Sequence, residues 1–74
     1  MRGPKLFWGM NVAEILNMEY ALLAEKVIRA SGLSADEVIA EVTRRRVNAN
    51  SDAETLACSR IISACLDGPD VVNF

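Results

Sequence analysis

Three short capping sequences constrain this chain more than any other feature. Asn11-x-x-Glu14, Ser34-x-x-Glu37 and Ser51-x-x-Glu54 each place a capping side chain three residues before a glutamate. In that arrangement the cap oxygen accepts the N–H of the third helical residue, and the glutamate reaches back to the cap's own N–H. Met10 with Ile15, and Leu33 with Val38, add a hydrophobic staple at two of the three starts. Stops follow at Gly32 and at Gly68-Pro69, where glycine supplies a left-handed cap and proline ends the run. The middle segment ends less sharply, in Val47-Asn48-Ala49-Asn50. The expected fold is all-α: a three-helix subunit with helices over about 11–31, 35–47 and 52–67. An N-terminal aromatic arm (1–10) and a tail (68–74) complete one small helical domain.

Hydrophobic spacing says how these helices want to be covered. Val12, Leu16, Tyr20, Leu23, Val27 and Ala30 recur three or four apart, which puts them on one helix face. Ile15, Met18 and Leu22 widen that face into a second stripe, so one neighbouring helix is not enough cover. The middle segment carries Val38, Ile39 and Val42 on one face. The last is rich in small residues, with the row Ala57, Ile61, Ala64 and Cys65 inviting close approach of another helix. A 74-residue chain buries only about 60% of the surface its unfolded form exposes. Oligomerisation or tight helix packing is the remedy. The expectation is a homodimer or higher oligomer, with Leu16, Tyr20, Leu23, Val27, Ala57 and Ile61 at the subunit interface.

Composition removes several classes of function. The chain has no histidine and two cysteines, which leaves too few ligands for a structural zinc site. Cys58 and Cys65 stand seven apart in one helix, roughly 10 Å along the axis at 1.5 Å per residue. A disulfide cannot span that distance, so both read as small buried hydrophobes of a reducing compartment. No phosphate-cradling glycine loop, dinucleotide fingerprint or C-x-x-C pair occurs. A mid-helix cysteine and one near a helix C-terminus lack the field that stabilises a thiolate. The expectation is a protein without enzymatic activity, metal or cofactor. No apolar run is long enough for a membrane span. Leu6-Phe7-Trp8 is too short for a signal peptide, so the expected location is cytoplasmic. A formal net charge of −2 weighs against non-specific nucleic-acid binding, which needs clustered cations.

Two stretches remain as candidates for recognition. Leu6, Phe7 and Trp8 form the densest aromatic cluster, and three large apolar groups in a row are seldom left in water. The arm they occupy has three fates open to it: folding over its own core, covering a second subunit, or meeting a partner. Arg44, Arg45 and Arg46 close the middle helix, where cations complement the dipole and Glu41 stands four before Arg45. By spacing, the stem of Arg46 continues the stripe of Ile39 and Val42, so it is expected to cover apolar surface. These residues suggest a small protein–protein interaction or regulatory module. Arg44, Arg45, Arg46, Phe7 and Trp8 would contact the partner, and the chain would also bind its own copies. The alternative is a dimeric helical DNA-binding transcriptional regulator. There the second and third helices, with the link Val47–Ser51, form a helix-turn-helix, and Arg60 is the sole basic reader. The C-terminal Val72-Asn73-Phe74 is a further, weaker candidate for carboxylate capture.

Overall fold

Each capping sequence begins a helix, and a fourth helix begins where no such sequence stands. The computed structural model describes the backbone of residues 7–71 and the side chains of residues 7–66. Leu6 and the Val72–Phe74 tail lie outside the described residues. The helices are α1 (Val12–Asn17), α2 (Tyr20–Ser31), α3 (Ala35–Val47) and α4 (Asp52–Val71). Among the described residues there is no strand, only an isolated bridge between Phe7 and Met10. The boxes of α1 and α3 are complete, with Asn11 and Ser34 as caps and Glu14 and Glu37 returning to them. At α4, Ser51 Oγ accepts the Glu54 N–H at 3.2 Å, but the Glu54 carboxylate reaches one residue further, to the Asn50 N–H at 3.0 Å.

The first helix expected from sequence is two helices. Met18 and Glu19 turn to extended backbone, with ψ of 142° and 151°. Neither glycine nor proline marks the break, and the apolar spacing runs across it without interruption. Its cause is tertiary. Arg60 of α4 donates from Nε to the Ile15 carbonyl at 3.3 Å and from Nη2 to the Met18 carbonyl at 2.8 Å. The same guanidinium lies 4.9 Å over the Tyr20 ring. One half-buried cation therefore satisfies carbonyls that α1 leaves open at its C-terminus and holds the first residue of α2 beside them. Glu19, the N-cap of α2, makes no side-chain cap bond, which is why no start signal was legible there.

α4 is the helix about which the others pack, touching α1, α2 and α3. It also corrects the expected stop at Gly68-Pro69, since its backbone stays helical to Val71. Pro69 lies within the last turn of this helix, where proline's fixed φ is helical although it removes one N–H donor and crowds the carbonyl four residues before. The core comprises Phe7, Met10, Ile15, Leu23, Ala24, Val27, Val38, Val42 and the row Ala57, Cys58, Ile61, Ala64, Cys65. Small side chains along α4 allow three helices to approach it closely. No buried side-chain polar atom lacks a partner among the described residues.

This packing changes the reading of the expected subunit interface. Leu23, Val27, Ala57 and Ile61 have no solvent exposure; the chain's own helices enclose them, leaving no surface for a second copy. Leu16 is half-buried against the same core, and Tyr20 is exposed beneath Arg60. The break at Met18–Glu19 supplies the reason. Two short helices can each lay an apolar stripe on α4, where one straight helix would leave part of its double stripe uncovered.

Candidate functional site

The two recognition candidates of the sequence meet at one end of α3. Phe7 and Met10 exchange backbone hydrogen bonds, N–H to O at 3.2 Å and 2.8 Å. Between them Trp8 and Gly9 both have positive φ, 44° and 89°, the pattern of a type I′ hairpin turn. Gly9 adopts this freely, whereas a bulky side chain at positive φ is strained by about 1–3 kcal/mol. The turn drops Phe7 and Met10 into the core and leaves Trp8 half-buried at the surface. Phe7 is therefore the floor of the site and presents no side chain outward. The rings of Phe7 and Trp8 lie 5.6 Å apart, tilted by 32°.

Arg45 crosses from α3 onto these rings, its guanidinium 5.0 Å from the Phe7 centroid and 5.5 Å from that of Trp8. Weak hydration of the guanidinium suits it to such stacking. Its Nε donates to Glu41 Oε2 at 3.2 Å, and Arg44 donates to the other oxygen of the same carboxylate. Hydrogen bonds from Arg45, then Arg44, hold the Glu41 carboxyl below its ordinary value of 4.5. Glu41 is the recessed member of this trio, and Arg44, with 77% of its side chain exposed, stands above it. Arg46 turns away, towards Ser59 Oγ of α4 at 3.4 Å. Arg45 keeps its expected pairing with Glu41 and also takes the covering of apolar surface expected of Arg46, while Arg46 ties two helices.

The helix end and the following link complete a cleft of about 340 Å³. Its walls are Arg44, Arg45, Asn48, Asn50 and Glu54, with Phe7 and Cys58 beneath. Asn48 closes α3, its N–H donating to the Arg45 carbonyl at 3.0 Å and its Nδ2 to that of Arg44 at 3.4 Å. Sequence reading missed Asn48, Asn50 and Glu54 as wall residues. They were visible only as helix punctuation, a role they also fill.

Burial, and next the nearby Glu54 carboxylate, push the Cys58 thiol up; burial does the same to Cys65. Both are buried free thiols, protonated at neutral pH. Among the described residues no three His, Cys, Asp or Glu side chains group so as to hold a metal. No described helix is long and apolar enough to cross a membrane. Comparison with protein-family models, with curated proteins and with solved structures finds no match for this chain.

Proposed function

We propose that this chain is a non-enzymatic interaction module that receives an acidic segment of a partner protein in the cleft at the end of α3. The observation that carries this reading is the stack of Arg45 on Phe7 and Trp8, which joins a cationic and an aromatic element from separate parts of the sequence. Such a surface suits a peptide carrying a carboxylate beside an apolar group. The carboxylate meets the projecting Arg44, and the apolar group meets the indole. Glu54 restricts the occupant, because its carboxylate in the cleft wall repels an anion that enters too deeply.

The DNA-binding alternative draws less support from the same geometry. Its recognition helix would be α4, whose only basic residue is Arg60. That guanidinium is engaged with α1 and Tyr20, so α4 presents no cation to a groove.

Trp8 is the chain's single tryptophan, which makes its fluorescence a reporter placed at the cleft. Titration with acidic peptides that contain an apolar residue is expected to change the emission, and the change should weaken as salt rises. Arg44→Ala is expected to abolish that response while the melting temperature stays within a few degrees. The reason is that exposed ion pairs contribute about 0–1 kcal/mol. A response to duplex DNA, with none to any acidic peptide, would overturn the proposal.

A further inference from the structure

Among the described residues, none covers the side of α2 that faces away from the core. Leu22 is 54% exposed, and Glu25 and Arg29 pair on the surface at 3.1 Å with side chains 62% and 80% exposed. Two shallow grooves flank this ridge. One, of about 450 Å³, runs beside Leu22, Lys26 and Ala30. The other, of about 470 Å³, runs beside Ala21 and Ile28. Among the described residues neither groove has a buried polar group aimed into it, which argues against a small polar ligand, and the charged residues along the ridge favour an occupant with charges of its own.

We propose that the occupant is the same face of a second copy, with the two α2 helices antiparallel about a two-fold axis at the level of Val27. The Glu25–Arg29 pair is complementary to itself about that level, while Lys26 of the same groove meets Ile28 there and stays at the solvated edge. Glu25 and Arg29 are equally far from that level, so an antiparallel pair sets each Glu25 opposite Arg29 of the second copy. The existing intrachain pair becomes a four-charge cycle. Shape follows the same symmetry. Leu22, the one large apolar side chain of the ridge, lies as far before Val27 as Gly32 lies after it. Nothing stands within 4 Å of where a Cβ on Gly32 would be, and Ala30 is small, so this end receives Leu22 of the second copy. A parallel pair would set Glu25 against Glu25 and Leu22 against Leu22, which costs the charge match and the shape match together. The contact is a single helix face of 12 residues, roughly 18 Å long. It falls below the area of about 1,200 Å² typical of stable interfaces, so the dimer is weak and forms with rising concentration. It uses a different face from the Arg45 cleft and is tested separately.

Sedimentation equilibrium across a micromolar-to-millimolar series reads the association directly. The wild type is expected to shift from single to double mass. Glu25→Arg and Arg29→Glu each place like charges across the axis and should weaken association at least roughly ten-fold. An equimolar mixture of the two variants should restore the wild-type profile, as should the double variant Glu25→Arg with Arg29→Glu. Circular dichroism at low concentration checks that each variant is folded. Should a reversal variant unfold, Leu22→Ser replaces it, and it too should weaken association. A wild type that stays at single mass throughout overturns the proposal. So do reversal variants that associate as the wild type does, a mixture that fails to recover, or an unaffected Leu22→Ser.

Discussion

Arg60 donates to two backbone carbonyls on another helix and covers an aromatic ring, three contacts from one half-buried guanidinium. Hydrogen bonds to a charged donor are worth about 1.5–3 kcal/mol. Arg60→Ala is therefore expected to lower stability by about 2 kcal/mol, a fall of roughly 10 °C in Tm for a domain this small. Arg60→Lys should recover only part of this, because an ammonium lacks the planar fork that reaches both carbonyls while lying over the Tyr20 ring. Thermal melts followed at 222 nm, a wavelength where helices absorb differentially, check both; two variants melting like the wild type would contradict the clamp. Glu41 gives a pH-dependent counterpart. Its folded pKa lies below the ordinary 4.5, so its pairing with Arg45 and Arg44 stabilises the folded chain above that value. The contribution is lost as pH falls through the folded pKa. Glu41→Gln is expected to flatten the dependence of stability on pH below 4.5, measured by urea unfolding at a series of acid pH values. An unchanged slope would mean the pair adds nothing in solution.

Among the helices, α2 differs from the others in how it begins. α3 starts at a complete capping box and is stapled by Leu33 and Val38, whereas α2 starts at Glu19 with no side-chain cap bond. The backbone of Glu19 is already extended, with φ −64° and ψ 151°, the geometry an N-cap requires. Glu19→Ser should therefore supply the missing acceptor and raise stability by about 0.5–1 kcal/mol. The opposite change at the other start, Ser34→Ala, should lower it by about 1 kcal/mol. Chemical denaturation of the two variants forms the check. A Glu19→Ser chain less stable than the wild type would indicate one continuous helix through Met18, where an interior serine is unfavourable.

In the whole molecule, α4 carries a core that one subunit completes for itself. Leu23 shows what that implies. It is fully buried, so Leu23→Glu must either bury an uncompensated carboxylate or open the α2–α4 packing. Unfolding at every protein concentration is the expected outcome. A variant that stays folded and only loses association would return Leu23 to a subunit interface. The dimer proposed through the outer face of α2 thus stabilises an already folded chain, and loss of that dimer should not cost the fold.

Local chemistry was legible without coordinates. The starts at Asn11, Ser34 and Ser51 and the stop at Gly32 depend on bonds between residues within four positions of one another. Hydrophobic spacing likewise marked Leu23, Val27, Val38, Val42, Ala57 and Ile61 as apolar positions that need cover. It assigned Leu23, Val27, Ala57 and Ile61 to a subunit interface, whereas one chain encloses them by itself. The break at Met18–Glu19 was not legible, because its cause sits 42 and 45 residues away in Arg60. Only the register of α4 against α1 brings that guanidinium to the two open carbonyls. The same holds for the cleft. Sequence marked Phe7, Trp8 and the arginine run separately, and the tertiary structure chose Arg45, not Arg46, to lie on the rings. Bonds between near neighbours are encoded by their spacing, whereas the position of a long side chain on a distant element follows from how the helices pack.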